Sequence, residues 1–137
     1  MKRYLLDTNI CVFYLRGKFN ISQKIKEAGV ENCFISEITI LELEYGIENA
    51  ERQYQTAQRS SFQKFVDLFD GRILSIRPCF SIFAQQKVRL RRKGLPISDF
   101  DALIGCTALS LGYTMVSENV REFERLEGID LENWVIR

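Results

Sequence analysis

Short apolar runs alternate along this chain with longer segments of helical periodicity. The short runs, typical of strands buried inside a sheet, lie at residues 4–6, 33–35, 72–76 and 113–116. The predicted helices span residues 10–15, 21–28, 37–48, 51–69, 80–92 and 98–109, with a helical turn at 120–126. Such alternation is typical of a parallel sheet with helices on both faces. We therefore predict an α/β fold, with one domain over residues 1–137 and a mostly parallel central sheet of four to five strands.

The sequence pattern leaves the structural role of two segments open. Residues 131–135 form either an edge strand or a tail around Trp134. Residues 51–69 are rich in glutamine and have an amphipathic spacing of apolar side chains at Phe62, Phe65, Val66 and Phe69. We expect this helix to be a lid or a partner surface rather than a core element.

The composition is that of one globular domain. Of 137 residues, 46% are hydrophobic and 27% are charged, which leaves enough apolar side chains for a real core. The four cysteines stand singly in apolar surroundings, as reduced core residues do. No apolar run is long enough for a membrane helix or a secretory signal. We therefore expect a cytoplasmic protein.

The charges are unevenly distributed although the net charge is only +1. Residues 72–98 contain no acid and seven cations, four of them at Arg89, Arg91, Arg92 and Lys93. Residues 118–132 contain six acids and two arginines. This asymmetry predicts a basic face for an anionic partner. The alternative is an ordinary solvated helix face.

Histidine is absent from the chain. This excludes a Ser-His-Asp triad, a histidine acid–base pair and a zinc site that uses histidine. Any hydrolysis must therefore use carboxylates, a metal ion, tyrosine, lysine or arginine.

Acidic and amide side chains follow the predicted strands or begin the predicted helices. Asp7 follows the first strand, and Asn119 follows the strand at 113–116. Glu42 shares a helix face with Ile38 and Tyr45, and Asp101 lies in the first turn of the most apolar helix. Helix capping is the alternative for Asp7, for Glu42 through a capping box from Thr39, and for Asp101.

One crevice at the carboxyl ends of the strands could gather these four side chains. Carboxylate and amide oxygens suit Mg²⁺ or Mn²⁺ rather than zinc or copper. An acidic metal pocket without histidine fits phosphodiester hydrolysis by a metal-activated water. A nearby basic face would hold the nucleic acid backbone.

Four sequence blocks also resemble a known family in order and spacing. They are Leu6-Asp7-Thr8-Asn9, Ile40-Leu41-Glu42-Leu43-Glu44-Tyr45-Gly46, Asp99-Phe100-Asp101-Ala102-Leu103-Ile104 and the block from Val116 to Arg125. The chain is thereby similar to the PIN-domain ribonucleases, and most of all to the VapC toxins of bacterial toxin–antitoxin pairs. The likeness covers essentially the whole chain.

The resemblance implies a magnesium-dependent endoribonuclease toxin, usually a homodimer, that a cognate antitoxin inhibits by laying its tail over the active site. Its catalytic positions correspond here to Asp7, Glu42, Asp101 and Asn119, with Asp7 and Asp101 as direct metal ligands. Asn119 stands where many members have aspartate, and Asp99 and Glu118 are candidate auxiliaries. The implied substrate is structured RNA such as tRNA or rRNA. As a separate hypothesis from the residues, Arg89, Arg91, Arg92 and an exposed tyrosine could contact a single-stranded loop of that RNA.

Two other functions remain open from the sequence. One is an RNA-processing nuclease of the same fold without a toxin role. The other is a non-catalytic α/β binding module whose acids hold a structural cation or only cap helices.

Overall fold

The computed structural model describes all 137 residues, which form a five-stranded parallel sheet with helices on both faces. The strands are β1 (Tyr4–Leu6), β2 (Cys33–Ser36), β3 (Ile73–Leu74), β4 (Thr114–Val116) and β5 (Asp130–Glu132), in the order β3-β2-β1-β4-β5. The helices are α1 (Thr8–Leu15), α2 (Ile21–Ala28), α3 (Glu37–Glu48), α4 (Arg52–Leu68), α5 (Phe80–Lys93), α6 (Asp99–Leu111) and α7 (Val120–Phe123). The α/β prediction is confirmed.

Strand β1 is the centre of the sheet, and its neighbours determine which side chains meet. It pairs in parallel with β2 on one side and with β4 on the other. The chain order reverses across this strand, because β2 and β3 lie to one side of it while β4 and β5 lie to the other. Ligands of open α/β sheets bind at such a reversal, beyond the carboxyl ends of the strands.

The helix boundaries agree closely with the local sequence signals. Helix α2 ends at Gly29, and α3 begins after Ser36, whose hydroxyl accepts the backbone N–H of Ile38 at 3.0 Å. Helix α5 ends at Gly94, a left-handed residue with φ of 66°, a conformation that costs glycine little. Helix α1 begins at Thr8, two residues earlier than predicted, because Asp7 caps it.

Strand β3 covers only residues 73–74 and is shorter than the predicted 72–76. The Glu37 carboxylate accepts the backbone N–H of Ile76 at 2.7 Å, and the chain then turns into a short 3₁₀ helix at Arg77–Cys79. The Arg72 guanidinium donates to the carbonyls of Val30 and Cys33. A long-range side-chain contact thus takes the place of a strand hydrogen bond at Ile76, whereas the Arg72 carbonyl still accepts the backbone N–H of Ile35 at 3.1 Å.

Helix α4 is part of the core, so the expectation of a lid was wrong. Phe62 and Phe65 of this helix and Phe69 after it are buried with Leu6 and Val116 of the sheet. Most of the rest of the helix is exposed, including Tyr54 and Leu68. A second core on the other side of the sheet includes Leu5, Met115 and Ile104 of α6. All four cysteines are reduced and buried, as predicted, and none of the helices has the length and apolar character needed to cross a membrane.

Helix α6 packs unusually closely against the segment that follows β4. A Cβ atom placed on Gly105 would lie 2.3 Å from Leu126 Cδ1 and 3.2 Å from Phe123 Cδ1. Only a glycine at this position allows that approach. The packing holds α7 beside the first turns of α6, which becomes important for the site described next.

Candidate active site

Asp7 lies at the carboxyl end of the central strand and is almost fully buried, with 3% of its surface exposed. Its backbone N–H continues the ladder to the Val116 carbonyl at 2.9 Å. One carboxylate oxygen, Oδ1, accepts the backbone N–H of Thr8 at 2.8 Å and so caps α1. The other, Oδ2, accepts the hydroxyl of Ser117 at 2.8 Å. Asp7 is therefore a helix cap and a firmly oriented carboxylate at once.

Ser117 is a fully buried hydroxyl at the end of β4, next to Asp7 across the sheet. It donates to Asp7 and accepts the backbone N–H of Asn119 at 2.9 Å. Sequence reasoning included Ser117 only as part of a turn. Its role follows from the pairing of β1 with β4, which no local pattern encodes.

Glu42 reaches the same region from α3 and is held by a threonine. The Thr8 hydroxyl donates to Glu42 Oε1 at 2.7 Å. Thr8 Oγ1 also lies 3.0 Å from the Thr39 hydroxyl, which must then be the donor because a hydroxyl has one proton. Tyr45, predicted on the same apolar face as Glu42, is instead 69% exposed. Glu42 is oriented by this pair of threonines rather than by an apolar face.

Asp101 stands in the first turn of α6, where Ser98 Oγ accepts its backbone N–H at 3.2 Å. Its carboxyl group is half-buried. Partial burial raises the pKa of Asp101; the Ser98 hydroxyl opposes this shift, and the negative charge of Glu122 adds to it. Asp101 therefore lies in a first turn that Ser98 caps, and its carboxylate also faces the acid Glu122.

Glu122 of α7 was not predicted as a site residue, although it faces Asp101. Its carboxylate Oε2 accepts the side-chain amide of Asn119 at 3.1 Å. Asn119, the predicted fourth catalytic position, thus points its amide at an acid instead of lining the pocket itself. The usable sequence signal was the spacing of three residues from Asn119 to Glu122, which puts the two side chains on one side of a helical turn.

These elements surround an open pocket of about 440 Å³, here called the acid pocket. It is lined by Asp7, Thr8, Asn9, Glu42, Ser98, Asp99, Phe100 and Asp101. Burial raises the pKa of Asp7 to about 6; the hydrogen bond from Ser117 opposes the shift, while the charges of Asp101 and Glu42 increase it. Asp7 is therefore close enough to the other two predicted carboxylates to be affected by their negative charges.

No lysine or arginine neutralises this cluster. None of the six ion pairs in the structure involves Asp7, Glu42, Asp101 or Glu122. No three histidine, cysteine, aspartate or glutamate side chains lie close enough together to hold a metal ion as a group, so a cation in the acid pocket would be held by one or two carboxylates. A hard divalent cation that keeps several waters and takes one or two carboxylates fits such a donor set.

The two candidate auxiliaries have cationic partners. Asp99 lines the acid pocket but pairs with Lys87 of α5 at 2.8 Å. Glu118 pairs with Arg137 near the end of the chain, and this arginine lowers the pKa of the Glu118 carboxyl. Glu118 is accordingly engaged outside the acid pocket.

The predicted basic face is smaller than the sequence indicated. The Arg72 guanidinium is occupied by backbone carbonyls, and Arg89 is half-buried, with a hydrogen bond to Gln86 at 2.7 Å and another to the Arg125 carbonyl. The guanidinium of Arg89 is thus committed to packing, which corrects its prediction as an RNA contact. Arg91 and Arg92 remain exposed.

Comparison with known proteins agrees with this arrangement. The family model of the PIN domain matches residues 4–129. This chain belongs to the PIN-domain family. Within that family it is 33% identical to the tRNA(fMet)-specific endonuclease VapC of Shigella flexneri, over 98% of this chain and 99% of the relative. It is 32% identical to Ribonuclease VapC2 of Rickettsia felis, over 96% and 97%. This PIN-domain protein is therefore a member of the VapC group.

Solved structures give the same result for the fold. The VapC-like chain superposes on a chain of the DNA-bound VapBC complex from Salmonella typhimurium with a TM-score of 0.87, at 31% identity and over 98% of this chain and 99% of that one. It superposes on a chain of VapBC2 from Rickettsia felis, bound to a promoter DNA fragment, with a TM-score of 0.83 at 28% identity, over 96% and 98%. The resemblance seen in the four sequence blocks is confirmed.

Proposed function

We propose that this VapC-family protein is a Mg²⁺-dependent endoribonuclease toxin that cleaves structured RNA, tRNA or rRNA, and is inhibited by a cognate antitoxin. The observation that carries the proposal is the acid pocket, in which Asp7, Glu42 and Asp101 face one another without a neutralising cation. Uncompensated buried carboxylates are unfavourable unless a cation binds between them. The same oxygens could bind Mn²⁺ in place of Mg²⁺.

Asp7 and Asp101 are the proposed metal ligands, from opposite sides of the pocket. When bound, the metal lowers the pKa of a water, orients it towards the phosphorus and stabilises the charge on the leaving oxygen. Asp7 is held ready by Ser117 and the Thr8 backbone. We assign Glu122 as a further acid beside Asp101, with Asn119 as its positioning residue.

Glu42 is the candidate acceptor for the proton of the attacking water. Its Oε1 takes the Thr8 hydroxyl, while Oε2 has no hydrogen-bond partner in the protein. In a chain without histidine, a carboxylate in the pocket is a suitable general base. Thr8 and Thr39 fix the Glu42 carboxylate, so its free oxygen Oε2 keeps one orientation.

An RNA substrate fits the surface around the pocket. Phe100 lines the acid pocket and is 44% exposed, so that an unpaired base could stack on it as bases do in single-stranded loops. The Shigella flexneri relative is named for cleavage of tRNA(fMet). We propose tRNA or rRNA as the substrate class on these two grounds.

This protein has a groove beside the acid pocket that is suitable for an antitoxin segment. Its volume is about 450 Å³, and Thr8 and Glu42 line both spaces. The apolar walls come from α1, α3 and α4, with Val12, Leu43 and Phe62 among them. The solved structures that this chain resembles include a toxin–antitoxin complex from Klebsiella pneumoniae. We propose that an antitoxin segment fills this groove and blocks the acid pocket; assembly as a homodimer and a cytoplasmic location stay predictions from the resemblance.

Cleavage of end-labelled tRNA by the purified protein, with and without Mg²⁺, tests the proposal. We expect Mg²⁺-dependent internal cuts, about 100-fold slower in Glu42→Gln because a general base of this kind contributes about 10²- to 10⁴-fold. Glu44→Gln is the matched control, since Glu44 lies on the same helix but pairs with Arg59. Equal rates for both variants, or cleavage that chelation of metal does not reduce, would reject the mechanism.

A further inference from the structure

A second pocket adjoins the acid pocket between the end of α5 and the beginning of α6. It has a volume of about 360 Å³ and is here called the basic pocket. Asp99 lines both pockets, so the two spaces are neighbours. A chain that crosses the acid pocket can continue directly into the basic one.

Two cations of α5 face this pocket one helical turn apart. Lys87 is tied to Asp99 by the 2.8 Å ion pair. Arg91 also lines the pocket, and its guanidinium makes no hydrogen bond or ion pair within the protein. The pocket therefore has a net positive charge and five free N–H donors, in the planar geometry that binds phosphate bidentately.

The remaining wall of the basic pocket is apolar and firmly supported. It is formed by Leu90, Pro96, Ile97, Ala102 and Leu126. Leu90, Ala102 and Leu126 belong to the core, with 2%, 4% and 1% of their surfaces exposed. The Arg125 guanidinium donates to the Pro96 carbonyl at 2.5 Å and fixes the loop that closes the pocket. The wall exists before any ligand binds.

We propose that the basic pocket binds the RNA nucleotide next to the one whose phosphate is cleaved. The base lies on the apolar wall, and its phosphate lies between Arg91 and Lys87. The apolar wall offers a base a contact surface, and the guanidinium beside it can bind the phosphate bidentately. The assignment rests on the proposed nuclease function, because the neighbouring acid pocket defines which phosphate is cut.

Adjacent arginines provide a matched pair of variants. Both arginines were predicted to contact RNA, but only Arg91 lines the basic pocket; Arg92 lies on another face of α5, beside Val88 and Lys93, and is not expected to hold RNA there. Both are exposed and carry the same charge. Replacement by glutamine changes net charge equally in the two cases, so a difference between them reports the pocket and not the overall field.

The test measures the affinity of the full-length protein for fluorescent tRNA in EDTA, at several salt concentrations. Arg91→Gln should weaken binding about five- to tenfold, and the slope of log K against log salt should fall by about 0.7, as for one lost single-strand phosphate contact. Arg92→Gln should change affinity less than about twofold. Equal losses of affinity in the two variants, or no loss for Arg91→Gln, would overturn the proposal that the basic pocket binds RNA.

Photo-crosslinking provides a second readout that does not depend on charge. RNA containing 4-thiouridine should form crosslinks to residues 90–102 in wild-type protein, and mass spectrometry identifies the modified peptide. Crosslinks confined to the Arg92 face would overturn the assignment even if the protein cuts RNA normally, which leaves the nuclease proposal intact. Wild-type protein that neither binds nor cuts RNA would overturn both.

Discussion

The acid pocket has a strand side and a helix side, and the two are built differently. On the strand side, Ser117 at the end of β4 donates to Asp7 at 2.8 Å, and next to it Thr8 of α1 donates to Glu42 of α3 at 2.7 Å. On the helix side, Asp101 is half-buried in the first turn of α6, and Glu122 has only the Asn119 amide at 3.1 Å. The sheet thus orients Asp7, and α1 orients Glu42, before any cation binds.

This difference indicates how a cation would be received. Asp7 cannot turn away without breaking hydrogen bonds to both of its oxygens, so its orientation is settled when the sheet forms. Asp101 and Glu122 sit on helix ends, where side chains adjust at smaller cost. We infer that Asp7 would fix the position of a bound cation, whereas Asp101 and Glu122 would adjust to it.

The largest expected effect is on catalysis. Asp7→Asn keeps the shape and the hydrogen bond from Thr8 but removes the charge, and should slow RNA cleavage about 10³-fold, as loss of a preorganised electrostatic group does. Asp101→Asn should cost less if the helix side can readjust. Single-turnover rates at saturating Mg²⁺ measure both, with Asp70→Asn, an exposed acid far from the pocket, as the control. A greater loss of cleavage rate for Asp101→Asn than for Asp7→Asn would mean that the helix side is the more firmly organised one.

The next effect is on stability without metal. The pKa of Asp7 is raised from 3.8 to about 6, so between these values the folded protein binds more protons than the unfolded chain. The free energy of unfolding therefore falls as pH rises through this window. From pH 4.5 to 7.5 in EDTA, wild type should lose about 2 kcal/mol more than Asp7→Asn.

Urea unfolding at the two pH values measures this difference. At pH 7.5, Asp7→Asn should be the more stable protein in EDTA, and Mg²⁺ should stabilise wild type more than the variant. A marked loss of stability in Asp7→Asn at pH 7.5 would mean that the carboxylate serves mainly as a cap for α1.

Local sequence signals predicted most of the fold. The bounds of α2 and α3 follow from Gly29 and Ser36, because helix caps act within a few residues. The end of β3 could not be predicted, since the Glu37 carboxylate takes the Ile76 N–H from 39 residues away. Helix α4 was misjudged because its apolar stripe does not reveal that it packs on the sheet.

The candidate site divides in the same way. Asp7, Glu42 and Asp101 were predicted because acids that follow strands or begin helices collect at one edge of a parallel sheet, and the resemblance supported them. Ser117, Thr8 and Glu122 were missed or undervalued because their partners depend on strand order and on the close packing at Gly105. Chemistry-bearing residues are visible in the sequence, and the groups that orient them are not.

The smallest effects concern these orienting groups, and they test the comparison most directly. Ser117→Ala leaves one Asp7 oxygen without its donor in a buried position and should lower Mg²⁺ affinity or cleavage about tenfold. Asn119→Ala removes a single half-exposed hydrogen bond to Glu122, worth about 1 kcal/mol, and should cost only about fivefold. Mg²⁺ titrations of the cleavage rate separate weaker metal binding from slower chemistry. If the strand side alone is preorganised, Ser117→Ala should shift the Mg²⁺ requirement while Asn119→Ala leaves it nearly unchanged. The opposite pattern would mean that α7 directs the metal.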